Sequence, residues 1–277
     1  MTYLDFIQVN QDKCIRCGLC VNVCRGVLSM ESHGPEVSKD LCINCGHCVA
    51  VCPTEALDHT NSPLMNQVPL EKISVLDADT AAQFLRSRRS VRSYRQTPVP
   101  REKVRQLLDV ARFAPSACNS QGVAYHVVDN LDILRGITVA TIEWAEEEMK
   151  KVSSLSLSPW ASNTAAQIKS YRESGQDVVL RNAPCLVVAI VDKNFLPLGR
   201  DNTHFTLTYA QLYASSIKLV TCWAGLFEFC ASSGYQPLLQ LLNLPENKSV
   251  TGGLMVGYPV NQYKRLVDRD PLQITWQ

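Results

Sequence analysis

The chain has 277 residues, of which 46% are hydrophobic and 19% are charged, and its formal net charge is +1. This length allows one large domain or two smaller ones with a sizeable core. The small net charge excludes a global field that would attract nucleic acid or an anionic membrane. No apolar run approaches the roughly 20 residues of a membrane span, and the N-terminus lacks a signal-peptide pattern. We therefore expect a cytoplasmic protein without a nucleic-acid or membrane partner.

Eight of the twelve cysteines lie between positions 14 and 52, in two copies of the pattern C-x2-C-x2-C-x3-C. This clustering favours iron–sulfur clusters over a disulfide scaffold. Structural zinc, the other alternative, usually takes C-x2-C pairs separated by a dozen or more residues. In this pattern three cysteines bind one [4Fe–4S] cluster and the fourth binds the other. The predicted ligands are Cys14, Cys17, Cys20 and Cys52 for the first cluster, and Cys42, Cys45, Cys48 and Cys24 for the second.

The N-terminal segment 5–59 resembles a bacterial two-cluster ferredoxin, and we assign residues 1–60 to such a domain. The second cysteine pattern is followed by Pro53, as in that family, whereas the first is followed by Arg25. A cation at this place would raise the potential of the nearer cluster, unless the side chain is only solvated.

Secondary structure after the cysteines follows from apolar spacing and from proline and glycine. Residues 61–80 contain Pro63 and Pro69 without clear periodicity, which indicates a linker. Asp79 is expected to cap a helix that begins near Ala81. Further helices are predicted from Pro100 and over 131–152, 162–174, 202–219 and 235–243, and strands over 123–128, 184–191, 221–227, 249–258 and, in the tail, 272–276.

The helix predicted over 202–219 is apolar nearly all round, which is typical of a helix buried on every side or of a subunit interface. Gly225 lies in a strand-like run, which indicates that something approaches the backbone closely there. Four cysteines show no ligand spacing and are expected to be small buried hydrophobic residues: Cys118, Cys185, Cys222 and Cys230.

Motifs in the remaining sequence occur in a characteristic order: RRSVRSY at 88–94, APSACNSQ at 114–121, CWAGLF at 222–227, and GYP followed by RDP at 257–271. On these motifs, residues 81–277 resemble the flavin-dependent nitroreductase family. The resemblance implies an α+β, three-layer fold in which helices cover both faces of a central, mostly antiparallel sheet. It also implies a homodimer with FMN at the interface, where the loop 116–121 comes from the partner subunit.

The residue types suit FMN. A dianionic phosphate requires several charge-assisted donors, which the arginine-rich motif and Arg269 supply; a solvated basic face is the alternative. Val267 stands where several family members have a lysine near the flavin, so Arg181 is the candidate replacement cation. Gly225 would place its backbone near the reactive flavin N5, and no side chain is assigned a catalytic role. The expected FMN contacts are Arg88, Arg89, Ser90, Arg92, Pro115, Ser116, Ala117, Asn119, Gln121, Ala224, Gly225, Leu226, Arg269 and Arg181.

Clusters that carry single electrons and a flavin that delivers pairs of electrons predict an FMN-dependent oxidoreductase. In this hypothesis the clusters relay electrons to FMN, which reduces a small electron-poor acceptor such as a nitroaromatic, quinone or enone. NAD(P)H or a redox protein is the candidate electron donor. The alternative is an electron-transfer or redox-sensing flavoprotein that passes electrons to a protein partner.

Overall fold

The computed structural model of the protein divides into two compact units. The first contains the residues up to Leu76 together with Cys118–Ser120, and the second contains Asp77–Ala117 and Gln121–Gln277. The structure describes residues 6–24, 26–39, 41–151 and 159–277. The prediction about Arg25 and the predicted helix end at Val152 lie outside these residues. Within them, no helix combines the length and the apolarity needed to cross a bilayer.

The first unit is built from two small antiparallel pairs and two short helices. Strand β1 (Ile7–Val9) pairs with β4 (Leu57–His59), and β2 (Leu28–Glu31) pairs with β3 (Gly34–Val37). Helices α1 (Leu19–Val23) and α2 (His47–Ala50) each contain the third cysteine of one copy of the pattern. The core is small, and it includes Cys20, Cys48, Val49 and Leu57. The segment predicted as a linker forms two 3-10 turns, Leu64–Asn66 and Leu70–Lys72.

The second unit is organised around a five-stranded sheet in which all strand pairings are antiparallel. Strand β7 lies between β6 and β9, and β9 also pairs with β8 and, at its end, with β5. The strands are β5 (Tyr94–Arg95), β6 (Ala124–Val128), β7 (Cys185–Asp192), β8 (Val220–Trp223) and β9 (Lys248–Pro259).

Helices cover both faces of this sheet. The helices of this unit are α3 (Ala78–Ser87), α4 (Arg101–Ala111), α5 (Leu131–Lys151), α6 (Pro159–Ser174), α7 (Leu198–Ala214), α8 (Gly225–Ser232) and α9 (Gln236–Leu242). Strand β7 shows the layering, because its side chains alternate between the two faces. Val187 packs in one core with Leu107 of α4 and Leu207 of α7, whereas Val188 packs in the other core with Ile137 and Phe227. The predicted α+β, three-layer fold is confirmed.

Helix α3 begins earlier than predicted. Its N-cap is Asp77, whose carboxylate accepts a hydrogen bond from the Thr80 amide at 3.0 Å. Asp79 therefore lies within the first turn and does not cap the helix, although an acidic residue in a first turn still favours helix formation.

Helix α7 is displaced toward the N-terminus relative to the prediction, and it is not buried on every side. Its inner face carries small polar residues such as Thr203 and Thr206, whose hydroxyl groups bond to carbonyl groups one turn earlier. Its outer face carries Phe205 and Tyr209, which are 50% and 40% exposed. The helix is apolar all round because one of its faces packs in the core. Its other apolar face is exposed to solvent in the single chain.

Two strand predictions near the C-terminus were wrong. The run 221–227 is a strand only as far as Trp223, because Gly225 begins α8. The tail forms no strand in the described residues 261–277, and Leu272 and Trp276 are 84% and 86% exposed. Alternation alone does not form a strand, since an extended segment also needs a sheet edge with which to pair.

Candidate redox cofactor sites

Four cysteines of the first unit surround one cavity. They come from both copies of the cysteine pattern and are the four that the spacing assigns to the first cluster. Apolar side chains from β2 and β4 complete the wall. The lining includes Cys14, Cys17, Cys20, Cys52, Met30 and Leu57.

The other four cysteines form a second group. Burial and the charges of Cys24, Cys45 and Cys42 together raise the pKa of the Cys48 thiol to about 11. Burial and the charges of Cys42 and Cys45 likewise raise the pKa of Cys24. Cys24 thus lies with the cysteines of the second pattern, as the crossed spacing predicts. Without a metal, these thiols resist ionisation because their negative charges would repel one another. A bound metal cluster offsets that repulsion, and coordination deprotonates the thiols.

Backbone donors also reach the sulfurs. Burial opposes ionisation of Cys52, but hydrogen bonds, including one from the Ala56 amide at 3.2 Å, lower its pKa overall. Gly18 and Gly46 precede α1 and α2 with φ values of 78° and 72°, a conformation that favours glycine. The two loops are therefore folded alike and can hold thiolates in similar settings.

No three His, Cys, Asp or Glu side chains converge on a single metal ion within the described parts of the chain. A four-iron cluster does not require that convergence, since each thiolate binds a different iron atom. The donor set, four soft sulfur ligands in each group, fits such a cluster.

His59 is a neighbour of the second cysteine group that sequence reasoning missed. Its side chain is 1% exposed, and its Nε2 lies 3.6 Å from Cys42 Sγ. Burial lowers the pKa of the imidazole. Because His59 stands outside both cysteine patterns, the sequence carries no signal for this contact.

The arginine-rich segment lies beside β8. Ser90 forms a parallel bridge with Thr221, and the Val91 amide donates to the Thr221 carbonyl at 3.0 Å. Arg88 Nη1 lies 3.4 Å from Ser90 Oγ, and Arg92 Nη1 lies 3.3 Å from the Ser90 carbonyl. These bonds hold two guanidinium groups of the predicted phosphate site at one sheet edge.

Cys222 on β8 shows which cations gather there. Burial raises the pKa of its thiol, while the guanidinium groups of Arg92, Arg181 and Arg88 oppose that rise. Arg181 thus joins the two arginines of the first motif, although the sequence indicated it only weakly. Tyr94 lies in the same place: burial raises the pKa of its phenol, the nearby Cys222 raises it further, and its hydroxyl is a buried group without a partner in the described structure.

A tight turn presents Arg181. Asp177 accepts hydrogen bonds from the amides of Val179, Leu180 and Asn182 at 3.0, 2.9 and 2.8 Å. Arg181 and Asn182 both have positive φ values, 58° and 55°. Such backbone is unfavourable for residues other than glycine and persists where the surroundings determine it. Asp177 is therefore the residue that positions Arg181.

Arg89 points to the C-terminal tail instead. Its Nη2 donates to the Arg265 carbonyl at 2.8 Å, and its guanidinium carbon lies 5.4 Å from the Tyr263 ring centre. Arg269 and Val267 lie further along and are exposed. In the described structure, the tail contacts the arginine-rich segment through Tyr263 and Arg265. No described contact links Arg269 to the other arginines.

The loop 115–121 contains three residues other than glycine with positive φ: Cys118, Asn119 and Gln121. Ser116 Oγ accepts the Gln121 amide at 3.1 Å, and the Ala117 amide donates to Asn202 Oδ1 at 2.9 Å. Pro115 is exposed and makes no described polar contact.

Residues 118–120 group with the first unit, where Asn119 Nδ2 donates to the carbonyls of Ile43 and Asn44, each at 3.0 Å. This amide is therefore engaged by protein in the single chain. Cys118 is exposed, so its expected burial was wrong, whereas Cys185, Cys222 and Cys230 are buried as expected.

The segment 224–226 joins β8 to α8. The Ala224 amide bonds to the Gly253 carbonyl at 2.8 Å, and α8 begins at Gly225 without a side-chain cap. A Cβ added at Gly225 would meet only Trp223 Cδ1, at 3.8 Å. The chain's own packing thus does not require glycine here, and space remains beside the Gly225 backbone. Leu226, the next residue, is half-buried.

Comparison with known proteins gives the family. A 4Fe-4S dicluster domain matches residues 13–56, and the Nitroreductase family matches residues 85–258. The chain belongs to the nitroreductase family and carries an iron–sulfur dicluster domain at its N-terminus. It is an oxidoreductase, as predicted.

Among similar proteins is a 4-nitrobenzoate reductase from a Nocardioides species, 26% identical over 216 residues that span 70% of this chain and 86% of that protein. Two solved nitroreductase structures with bound FMN share the fold. The one from Bacteroides fragilis has a TM-score of 0.55 and 20% identity, and covers 70% of this chain and 97% of its own. The one from Desulfitobacterium hafniense has a TM-score of 0.56 and 16% identity, and covers 73% and 100%.

Proposed function

We propose that this chain is an iron–sulfur flavoprotein reductase of the cytoplasm, in which two [4Fe–4S] clusters supply electrons for the FMN-dependent reduction of a small electron-poor acceptor. The observation that carries the proposal is the gathering of Arg88, Arg92 and Arg181 around Cys222, next to the uncapped start of α8. The same chain holds two groups of four cysteines. When bound, the clusters would supply single electrons, and FMN would couple them to two-electron reduction.

The phosphate of FMN would be held by Arg88, Ser90, Arg92 and Arg181, with Arg89 and Arg269 available from the same segment and the tail. Guanidinium groups donate in a fork that matches phosphate oxygens. The buried edge of β8 beside them limits access of water, which strengthens such bonds. The remaining proposed contacts are Pro115, Ser116, Ala117, Asn119, Gln121, Ala224, Gly225 and Leu226.

The free amides at the start of α8 suit the ring end of FMN. Amides in the first turn of a helix lack partners within the helix, and they favour negative charge. Because Gly225 has no side chain, the flavin ring could approach these amides closely. The protein would then orient the acceptor and exclude water, while its side chains carry no covalent step.

A homodimer would complete the site. The outer face of α7 leaves Phe205 and Tyr209 exposed in the single chain. Aromatic side chains are enriched at protein interfaces. A second copy of this chain would therefore bury these two side chains in a dimer interface. The loop 116–121 would then serve the partner's FMN.

The named activity of the Nocardioides relative favours a nitroaromatic acceptor, with a quinone or an enone as further candidates of the same electron-poor class. Either NAD(P)H or a reduced redox protein would be the donor.

The test is anaerobic turnover by protein loaded with iron, sulfide and FMN. We expect reduction of 4-nitrobenzoate with a chemical one-electron donor, and loss of activity in the double variant Arg88→Ala, Arg181→Ala. If the loaded protein reduces no nitroaromatic, quinone or enone but does pass electrons to a redox protein, the chain is an electron carrier.

A further inference from the structure

His59 has one defined tautomer. It ends β4 and packs against Phe6, with the ring centres 5.4 Å apart. Its Nδ1 accepts a hydrogen bond from the Asn61 backbone N–H at 3.0 Å. A backbone N–H can only donate, so Nδ1 must present its lone pair, and the single proton of the neutral ring lies on Nε2.

This proton faces a proposed cluster ligand. Nε2 lies 3.6 Å from Cys42 Sγ, and a metal-bound cysteine is a thiolate, which only accepts hydrogen bonds. We propose that His59 donates an Nε2–H···S hydrogen bond to Cys42 and so acts as a positioning residue that raises the potential of the second cluster. This inference rests on the ligand set proposed above.

The effect has a direct electrostatic reason. A reduced cluster carries one more negative charge than an oxidised one, and a donor at sulfur stabilises that charge. The Asn44 amide already lies 3.4 Å from the same sulfur, so His59 adds a side-chain donor to a backbone donor. Burial of the imidazole strengthens the interaction, because water cannot compete for the N–H.

Neighbouring bonds fix this geometry. Asn61, whose amide determines the tautomer, also donates from Nδ2 to Asn44 Oδ1 at 3.1 Å. The histidine, the cysteine loop and Asn61 therefore form one closed set of hydrogen bonds around Cys42.

The described residues around the first cluster site include no such histidine. The cavity formed by Cys14, Cys17, Cys20 and Cys52 is lined by Met30 and Thr54 among others, and the Thr54 hydroxyl lies 3.8 Å from Cys52 Sγ. An imidazole N–H at a ligand sulfur therefore distinguishes the second site from the first within the described structure.

The test is an anaerobic redox titration of the 277-residue chain, followed by electron paramagnetic resonance. His59→Phe keeps the ring and its packing but removes the N–H. We expect one of the two cluster potentials to fall by about 59 mV, a tenfold weaker hold on one electron. The signal that shifts must be the one that Cys45→Ser damages. His59→Gln, which restores an N–H, should recover part of the loss.

His47→Phe is the matched control, because His47 is an exposed histidine on α2 beside Cys48. It should leave both potentials unchanged. Unchanged potentials in a fully loaded His59→Phe protein would overturn the inference. A native protein that lacks the second cluster would instead overturn the proposed ligand set, and the inference with it.

A measurement on the native chain covers the case in which His59→Phe fails to assemble. Histidine labelled with 15N in the ring should give a nitrogen coupling on the signal of the second cluster. The coupling should persist in His47→Phe and disappear in His59→Gln. A native signal without coupling to a ring nitrogen would contradict the proposed bond.

Discussion

Ser90 and Thr221 face each other in a parallel bridge that joins two distant parts of the sequence. Ser90 lies in the arginine-rich motif, and Thr221 lies on β8, just before the segment 224–226. One bridge therefore places the proposed phosphate-binding segment beside β8, and the end of β8 leads into the proposed ring-binding segment. Strand β8 thus links the two halves of the proposed FMN site.

The first prediction concerns the phosphate of FMN. Arg88→Ala and Arg181→Ala should each weaken FMN binding roughly ten- to a hundredfold, because each removes a charge-assisted hydrogen bond worth ~1.5–3 kcal/mol. Arg269→Ala should act in the same direction. Fluorescence titration of the apoprotein measures the dissociation constant. Arg135→Ala, at an exposed arginine that bonds Asp132, is the control and should bind FMN normally.

The second prediction compares alanine substitutions at two glycines, one expected to affect FMN binding and the other protein stability. Gly225→Ala should leave the melting temperature of the apoprotein unchanged, since the added Cβ would meet only Trp223, at 3.8 Å. The same Cβ should weaken FMN binding, because it would occupy the space proposed for the flavin ring. Gly253→Ala should lower stability by ~1–3 kcal/mol, because its Cβ would lie 2.7 Å from Phe227 Cδ1. Normal FMN affinity in Gly225→Ala would show that the cofactor ring lies elsewhere.

The third prediction concerns assembly. Phe205→Asp with Tyr209→Asp should yield a monomer that loses FMN, since charges on the outer face of α7 oppose its burial. Light scattering gives the mass, and flavin absorbance gives the occupancy. Leu131→Asp, at a residue that is 52% exposed at the start of α5, is the matched control and should remain assembled. A monomeric double variant with full FMN occupancy would contradict a site shared between subunits.

The fourth prediction concerns iron. The anaerobically prepared chain should contain about eight iron atoms, from two four-iron clusters. Cys45→Ser should disturb the second cluster far more than the first, and Cys118→Ser should leave the iron content unchanged. Iron and sulfide analysis checks both. Stoichiometric zinc without iron would reject the cluster assignment.

Sequence reasoning succeeded where local pattern determines structure. The apolar runs of β7 and β9 were visible in the sequence, because strands covered on both faces are apolar throughout. The crossed grouping of Cys24 with the second pattern also followed from spacing alone. These features depend on residues close together in the chain or on a known ligand geometry.

The rest depends on contacts between distant residues. The position of Arg181 beside Cys222 follows from the turn that Asp177 holds, and no periodicity reports that turn. His59 reaches Cys42 only because β4 returns to pair with β1. The open face of α7 and the tail could not be predicted either, since an apolar residue reads alike in a core and at a subunit interface.

The most direct test of the proposed function is the flow of electrons between the two cofactor types. The comparison uses the native 277-residue chain and its variant Cys17→Ser, Cys45→Ser, both loaded with FMN. One chain carries both units, and tethering raises the effective concentration of donor beside acceptor to roughly millimolar when the geometry allows contact. Each protein is mixed rapidly, without oxygen, with a one-electron donor that reduces the clusters. We predict that flavin absorbance bleaches at least about tenfold faster in the native protein, a difference of ~1.4 kcal/mol in activation free energy. Equal bleaching rates in the two proteins would contradict the account, because the clusters would then not supply the flavin.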